Sequence, residues 1–184
     1  MAESAKAGIE STGNQCEIFQ VKETLSPELV KKLGSPGQLP YPTADLKTLT
    51  NCDGLMFGIP TRFGNMPTQL KSFIDGTGSL WAANALKYKP FGIFVSTGTG
   101  GGNESTAMNS LSTFVHHSMI FVPLGFDTAA PYLTNLNEVH GGSPWGAGTI
   151  AGPDGSRQPT QLELEIAKIQ GKEFAEVAPR LAKD

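Results

Sequence analysis

Two polar, glycine-bearing loops, each directly after a short apolar run, constrain this chain most. Leu55-Met56-Phe57 leads into Gly58-Ile59-Pro60-Thr61-Arg62-Phe63-Gly64-Asn65. Phe91-Gly92-Ile93-Phe94-Val95 leads into Ser96-Thr97-Gly98-Thr99-Gly100-Gly101-Gly102-Asn103. Short apolar runs read as strands buried on both faces of a parallel sheet. Open α/β sheets bind ligands at the carboxyl ends of such strands.

The rest of the chain fits that frame. Strands are expected near 16–21, 53–59, 91–96 and 119–124. Ser26-Pro27-Glu28 opens a helix with a serine cap, a proline in the first turn and an acid beside it. Further helices are expected over 2–11, 67–74 and 104–116. Thr160 with Glu163 forms a capping box before Leu162, Ile166 and Ile169 at helical spacing. Alternating strands and helices predict a doubly wound parallel sheet. Residues 125–159 carry many glycines and prolines and no clear period. A connection that long is expected to work as a lid or an assembly arm.

A length of 184 residues fits one domain, residues 1–184. The net charge of −3 argues against broad nucleic-acid binding, which needs a basic face. No apolar run approaches a transmembrane length, and residues 1–6 lack an apolar signal core. Cys16 and Cys52 have no paired Cys/His spacing, which fits two reduced thiols in a cytoplasmic protein. Three histidines without a carboxylate at metal spacing do not make a metal site.

Several familiar chemistries fail on spacing. Gly98-x-Gly100 has Asn103, not glycine, at the third fingerprint position, which disfavours a dehydrogenase that uses NAD alone. There is no phosphate-binding Gly-x-x-x-x-Gly-Lys and no Gly-x-Ser-x-Gly elbow. What remains is a loop of small residues, Ser96 to Gly101, rich in backbone N–H groups. It either approaches a flat heteroaromatic ring or is an ordinary glycine turn. Arg62 either faces an anionic ring or makes a surface salt bridge. Trp81 either caps a planar ligand or packs. His116 and His117 either face the site or cap a helix end in solvent.

Together these segments resemble the WrbA-type family of flavodoxin-like NAD(P)H:quinone oxidoreductases, in its fungal branch. The resemblance rests on Gly58–Asn65, Ser96–Asn103 with Glu104, His116-His117, the run Glu138 to Thr149, and Asp154-Gly155-Ser156-Arg157-Gln158-Pro159. It extends from Ala2 to about Ala182. It implies a flavodoxin-like fold of three layers, α/β/α. It implies FMN at the carboxyl edge of the sheet, with NAD(P)H as co-substrate and a quinone as acceptor in a two-electron reduction. Thr61, Arg62, Phe63, Gly64 and Asn65 would meet the flavin on one side. Ser96, Thr97, Gly98, Thr99, Gly100 and Gly101 would meet it on another. His116 would lie near the ring as a binding and catalytic residue, and Trp81 would line the substrate side. The family also implies a homo-oligomer, dimer or tetramer, with the 125–159 arm and its Trp145 packing near a neighbouring subunit.

One departure matters. Members of that family open on a strand and a loop of hydroxyl and glycine residues that binds the FMN phosphate at a helix N-terminus. Met1 falls where that helix is already under way. The resemblance therefore implies a sheet without its first, central strand, a gap between the 16–21 and 53–59 strands, and no phosphate loop. A flavin-free flavodoxin-like binding or regulatory protein is the alternative.

Overall fold

The structure, a computed structural model, describes residues 1–35 and 37–181; the far end of the resemblance, at Ala182, lies outside them. In chain order the elements are α1 (Ala2–Glu10), α2 (Pro27–Lys32), α3 (Leu46–Thr50), β1 (Leu55–Pro60), α4 (Thr68–Asp75) and α5 (Gly78–Ala82). There follow β2 (Pro90–Thr97), α6 (Asn103–His116), β3 (Ile120–Phe121), α7 (Ala130–Leu133), β4 (Gly148–Ile150) and α8 (Gln161–Leu181). Every strand pair is parallel. β1 runs along one edge of β2, from Leu55 opposite Phe91 to Pro60 opposite Ser96. β3 and β4 share the other edge: β3 at its start, β4 at Val95 to Thr97.

Alternation along the strands divides the core between two helical layers. Phe91, Ile93 and Val95 join Phe57 and Ile59 against Leu49, Leu70, Ile74 and Phe114 of α3, α4 and α6. Phe94 packs toward Ile166 and Ala167, and Met56 toward Phe174 and Ala178, all on α8. The result is the expected α/β/α order of layers. α1 lies on α8 at two glycines. A Cβ on Gly8 would meet the Lys168 carbonyl oxygen at 2.0 Å, and one on Gly171 the Ala5 oxygen at 2.0 Å.

Three expectations need correction. Residues 16–21 form no strand; only Gln20 bridges, to Thr43. Its N–H and C=O are spent on Pro42 and Ala44. The 119–124 strand shrinks to Ile120–Phe121, with a further Val122 N–H bond to Phe91 at 2.8 Å. Pro123 next in line has no N–H to continue a ladder. The fourth strand is instead β4, inside the stretch expected to be irregular. Between β1 and residues 16–21 lies a cavity of about 1380 Å³.

The 125–159 arm is tied to its own chain. Its Trp145 stacks on Phe121 with ring centres 6.0 Å apart. Gln170 clamps the arm by accepting from the Ala147 N–H at 2.9 Å while its amide donates to the Ile93 carbonyl at 2.8 Å.

Among the described residues no helix is long and apolar enough to cross a membrane.

Candidate functional site

The loop after β1 is a tight reversal. The Arg62 N–H donates to the Asn65 carbonyl at 2.8 Å, and the Asn65 N–H returns to Arg62 at 3.0 Å. Its two central residues, Phe63 and Gly64, take φ of 54° and 73°, the left-handed pair of a type I′ turn. Glycine tolerates that geometry; phenylalanine is a genuine outlier there. Phe63 is also fully exposed, so packing does not explain its place. A strained, solvent-facing aromatic ring at a strand's carboxyl end is the kind of outlier that points to a binding role.

The loop after β2 leans against that turn. The Thr106 hydroxyl, fully buried, donates to the Thr61 hydroxyl at 2.7 Å. Thr61 also accepts from the Gly64 N–H at 3.2 Å, and the Asn109 amide donates to the Gly64 carbonyl at 2.8 Å. A Cβ on Gly102, at φ 89°, would sit 2.8 Å from the Thr61 hydroxyl, so only glycine allows the approach. Thr97 is buried and its hydroxyl accepts from the Gly100 N–H at 3.0 Å, closing the loop. β4 braces its base: the Ala151 N–H donates to Thr97 at 2.7 Å.

Together Thr61–Asn65 and Ser96–Gly102 form one rim. On it Arg62 makes no ion pair among the described residues; its guanidinium donates to the Thr61 carbonyl at 2.8 Å. The salt-bridge reading of Arg62 is thereby set aside. The N–H groups of Thr99 and Gly101 make no hydrogen bond among the described residues, and a Cβ on Gly101 would meet open space.

His116 and Trp81 lie elsewhere. His116 is the exposed last residue of α6, whose N-cap is Gly102. Fourteen helical residues put roughly 20 Å between them. Trp81, on α5, belongs to the same end: Thr77, the α5 cap, bonds the His117 ring at 2.8 Å. Because the Thr77 hydroxyl donates to the Ile74 carbonyl, it accepts from His117 Nε2. The buried Nδ1 then has no partner among the described residues. Burial, and then the neighbouring His116, push the His117 pKa down. Trp81 is 58% exposed.

Sequence reasoning missed one organising residue. Glu163 closes the expected capping box with Thr160, yet it is buried completely. It accepts from Gly141 N–H at 3.0 Å, Ile150 N–H at 3.1 Å, the Thr149 hydroxyl at 2.9 Å and Arg157 at 3.0 Å. Burial alone would raise its pKa. The bonds from Thr160, Gly141, Thr149 and Arg157 outweigh burial and hold it below the usual carboxylate range. Arg157 also donates to the carbonyls of Ile150 and Val139. The pair fixes β4, and through it the floor of the Ser96–Gly102 loop. The Thr-x-x-Glu pattern signals a cap; nothing in it signals burial.

Comparison with known proteins agrees with this architecture. The model of the NADPH-dependent FMN reductase family matches residues 1–129. The chain is 60% identical to Protoplast secreted protein 2 of Saccharomyces cerevisiae, over 97% of this chain and 90% of that protein. It is 59% identical to NAD(P)H quinone oxidoreductase PST3 of Candida albicans, over 98% and 91%. The crystal structure of the WrbA-like flavodoxin of Agrobacterium tumefaciens superposes with a TM-score of 0.65 at 19% identity, covering 98% of this chain and 88% of that one. The fold is flavodoxin-like, and the chain belongs to the NADPH-dependent FMN reductase family.

Proposed function

We propose that the chain is an FMN-dependent NAD(P)H:quinone oxidoreductase that reduces quinones by two electrons. The interlock between Thr61 and Thr106 carries this reading, because it sets a cation, an exposed aromatic ring and unspent backbone donors on one rim. That donor set suits a flat ring with carbonyls and ring nitrogens. When bound, the flavin accepts a hydride from NAD(P)H and delivers it to the quinone.

The chain's own residues bind and orient. The N–H groups of Thr99 and Gly101 donate to the ring's polar edge. Arg62 lies where it favours negative charge on the ring. Phe63 excludes water from one side. His116 and Trp81 stand a helix length from this rim, so within one chain they do not reach it. A homo-oligomer reconciles their placement with the roles the family resemblance implies: both serve the site of a neighbouring copy, on the side where nicotinamide and quinone alternate. A cytoplasmic location fits two unpaired thiols.

The grip is on the ring. A change at Arg62 is therefore expected to weaken FMN and riboflavin alike. The test is NADH- and NADPH-driven quinone reduction with added FMN. Turnover that saturates in FMN and falls at least tenfold in Arg62→Ala, with little change in melting temperature, supports the proposal. Absence of turnover at millimolar FMN favours the flavin-free binding protein.

A further inference from the structure

Backbone strain in this molecule gathers in two places. Among the described residues, four that are not glycine take positive φ. One is Phe63, on the rim. The other three, Asn84 at 53°, Tyr88 at 67° and Ser118 at 57°, lie together at the opposite end of α6, where β2 begins. Asparagine visits this region readily; a tyrosine is a genuine outlier there. Glycine would make the same turn without strain. Tyr88 is half-exposed and belongs to none of the core clusters, so burial does not select its ring. Strain kept at an exposed aromatic side chain points to a binding role.

Hydrogen bonds make this corner one unit. The Tyr88 N–H donates to the Ser118 carbonyl at 2.8 Å, beside His116 and His117. The Asn84 N–H donates to the Trp81 carbonyl at 3.0 Å, and the Trp81 N–H to the Thr77 carbonyl at 3.0 Å. Thr77 in turn holds the His117 ring. Two exposed aromatic rings, Trp81 and Tyr88, and the exposed His116 therefore share one end of the molecule. Lys87 Nζ lies 4.8 Å from the Tyr88 ring centre and makes no ion pair among the described residues. Acids are scarce in this part of the chain. From residue 76 to residue 126 the sequence has one, Glu104, which stands at the far end of α6. Asp75, just before, is paired with Lys71.

We propose that Lys87 and Tyr88 form a platform for the phosphate-bearing adenosine half of NAD(P)H, with Trp81 and His116 beside it. Nucleotide bases stack on aromatic faces. A lysine held over such a face meets a phosphate as a point charge. One lysine and one imidazole suit a single nucleotide. A nucleic-acid strand needs a basic track, and the net charge of this chain is −3. That the nucleotide belongs to NAD(P)H rests on the function proposed above. The platform and the rim stand roughly 20 Å apart along α6 of one chain. The dinucleotide therefore joins the platform of one copy to the rim of another, and Lys87 and Tyr88 extend the surface that Trp81 and His116 present to that neighbour.

The test titrates the full chain with 2′,5′-ADP and with adenosine, by calorimetry and without flavin. The native chain is expected to bind one 2′,5′-ADP per chain, and adenosine at least tenfold more weakly. NADPH is expected to displace the bound 2′,5′-ADP. Lys87→Gln removes the charge and keeps the stem; it is expected to weaken 2′,5′-ADP about tenfold, the loss of one charged hydrogen bond. Tyr88→Gly removes the ring and relieves the strained φ. It is expected to weaken both ligands while the melting temperature stays level or rises, which a merely structural tyrosine would not show. No binding of 2′,5′-ADP, affinities that both variants leave unchanged, or 2′,5′-ADP that NADPH does not displace overturns the proposal. Tighter binding of a short oligothymidylate overturns it too, by showing a nucleic-acid surface. Because no flavin or turnover enters the measurement, a failure of the quinone reductase reading at the rim is seen separately.

Discussion

The hydroxyl of Thr106 donates to the hydroxyl of Thr61 across 2.7 Å, joining the first turn of α6 to the loop after β1. Neither residue is charged or aromatic, yet this bond holds the two glycine loops at one spacing. Thr106→Val removes the donor and leaves the shape. A buried hydrogen bond of this kind contributes about 1 kcal/mol, so urea unfolding is expected to show a loss near that size. Thr61→Val and Thr106→Val are expected to be non-additive, with a coupling of at least about 0.5 kcal/mol in a double-mutant cycle. Full additivity would show that the loops are held apart from each other.

Glu163 and Arg157 set the floor of the same site. Glu163→Ala leaves three backbone N–H groups, a threonine hydroxyl and a guanidinium short of a partner. Breaking a buried pair by removing one member costs about 3–5 kcal/mol, and denaturant unfolding is expected to show a loss in that range. A loss under about 1 kcal/mol would mean that water replaces the carboxylate.

The same carboxylate gives the stability a pH dependence. Its folded pKa lies below that of the unfolded chain, about 4.3 for a glutamate. Its contribution is therefore complete above that value and is lost as pH falls through the lower, folded one. The stability gap between the native chain and Glu163→Gln, by urea unfolding from pH 6 down to pH 3, is expected to narrow below about pH 4. A constant gap would show that the carboxyl does not titrate with folding.

Helix α1 depends on two glycines. An alanine Cβ at Gly171 would sit 2.0 Å from the Ala5 carbonyl oxygen, which is backbone and does not rotate away. Overpacking costs about 1–3 kcal/mol or more. Gly171→Ala is expected to lower the melting temperature, and limited proteolysis is expected to cut first within residues 1–25. Unchanged proteolysis would mean that α1 is held by other contacts.

The site's placement leads to a mixing experiment. Arg62 and His116 stand at opposite ends of α6, so Arg62→Ala and His116→Ala damage different halves of the proposed composite site. Each variant alone is expected to lose most of its turnover. Co-refolded mixtures are expected to regain up to about a quarter of the native rate, because some contacts between copies bring two intact halves together. A mixture no more active than either variant would place both residues in one chain's site, or His116 in none.

Much of this fold was legible in the chain. The glycine loops are readable because glycine at a strand end has few other uses. The Ser26 cap, the α6 stripe and the Thr160–Glu163 box follow local rules, and local rules hold where helices are capped. Residues 16–21 misled because alternation resembles a strand whether or not a partner lies alongside. β4 was hidden because three residues, Gly148 to Ile150, carry no period; β2's free edge specifies them. The burial of Glu163 was hidden for the same reason: its partners include Gly141 and Thr149 of the irregular arm, which no local period ties to it. His116 was read beside the flavin loops, and only the length of α6 shows that one chain does not bring them together.

The rim formed by Thr61–Asn65 and Ser96–Gly102 is proposed to grip a flavin by its ring. Calorimetric titration of the native chain and of Arg62→Ala with FMN and with riboflavin tests it most directly. Saturable one-to-one binding of both flavins to the native chain is expected. Both are expected to bind at least tenfold more weakly to Arg62→Ala. Affinities that Arg62→Ala leaves unchanged, or no saturable binding of either flavin, would contradict it.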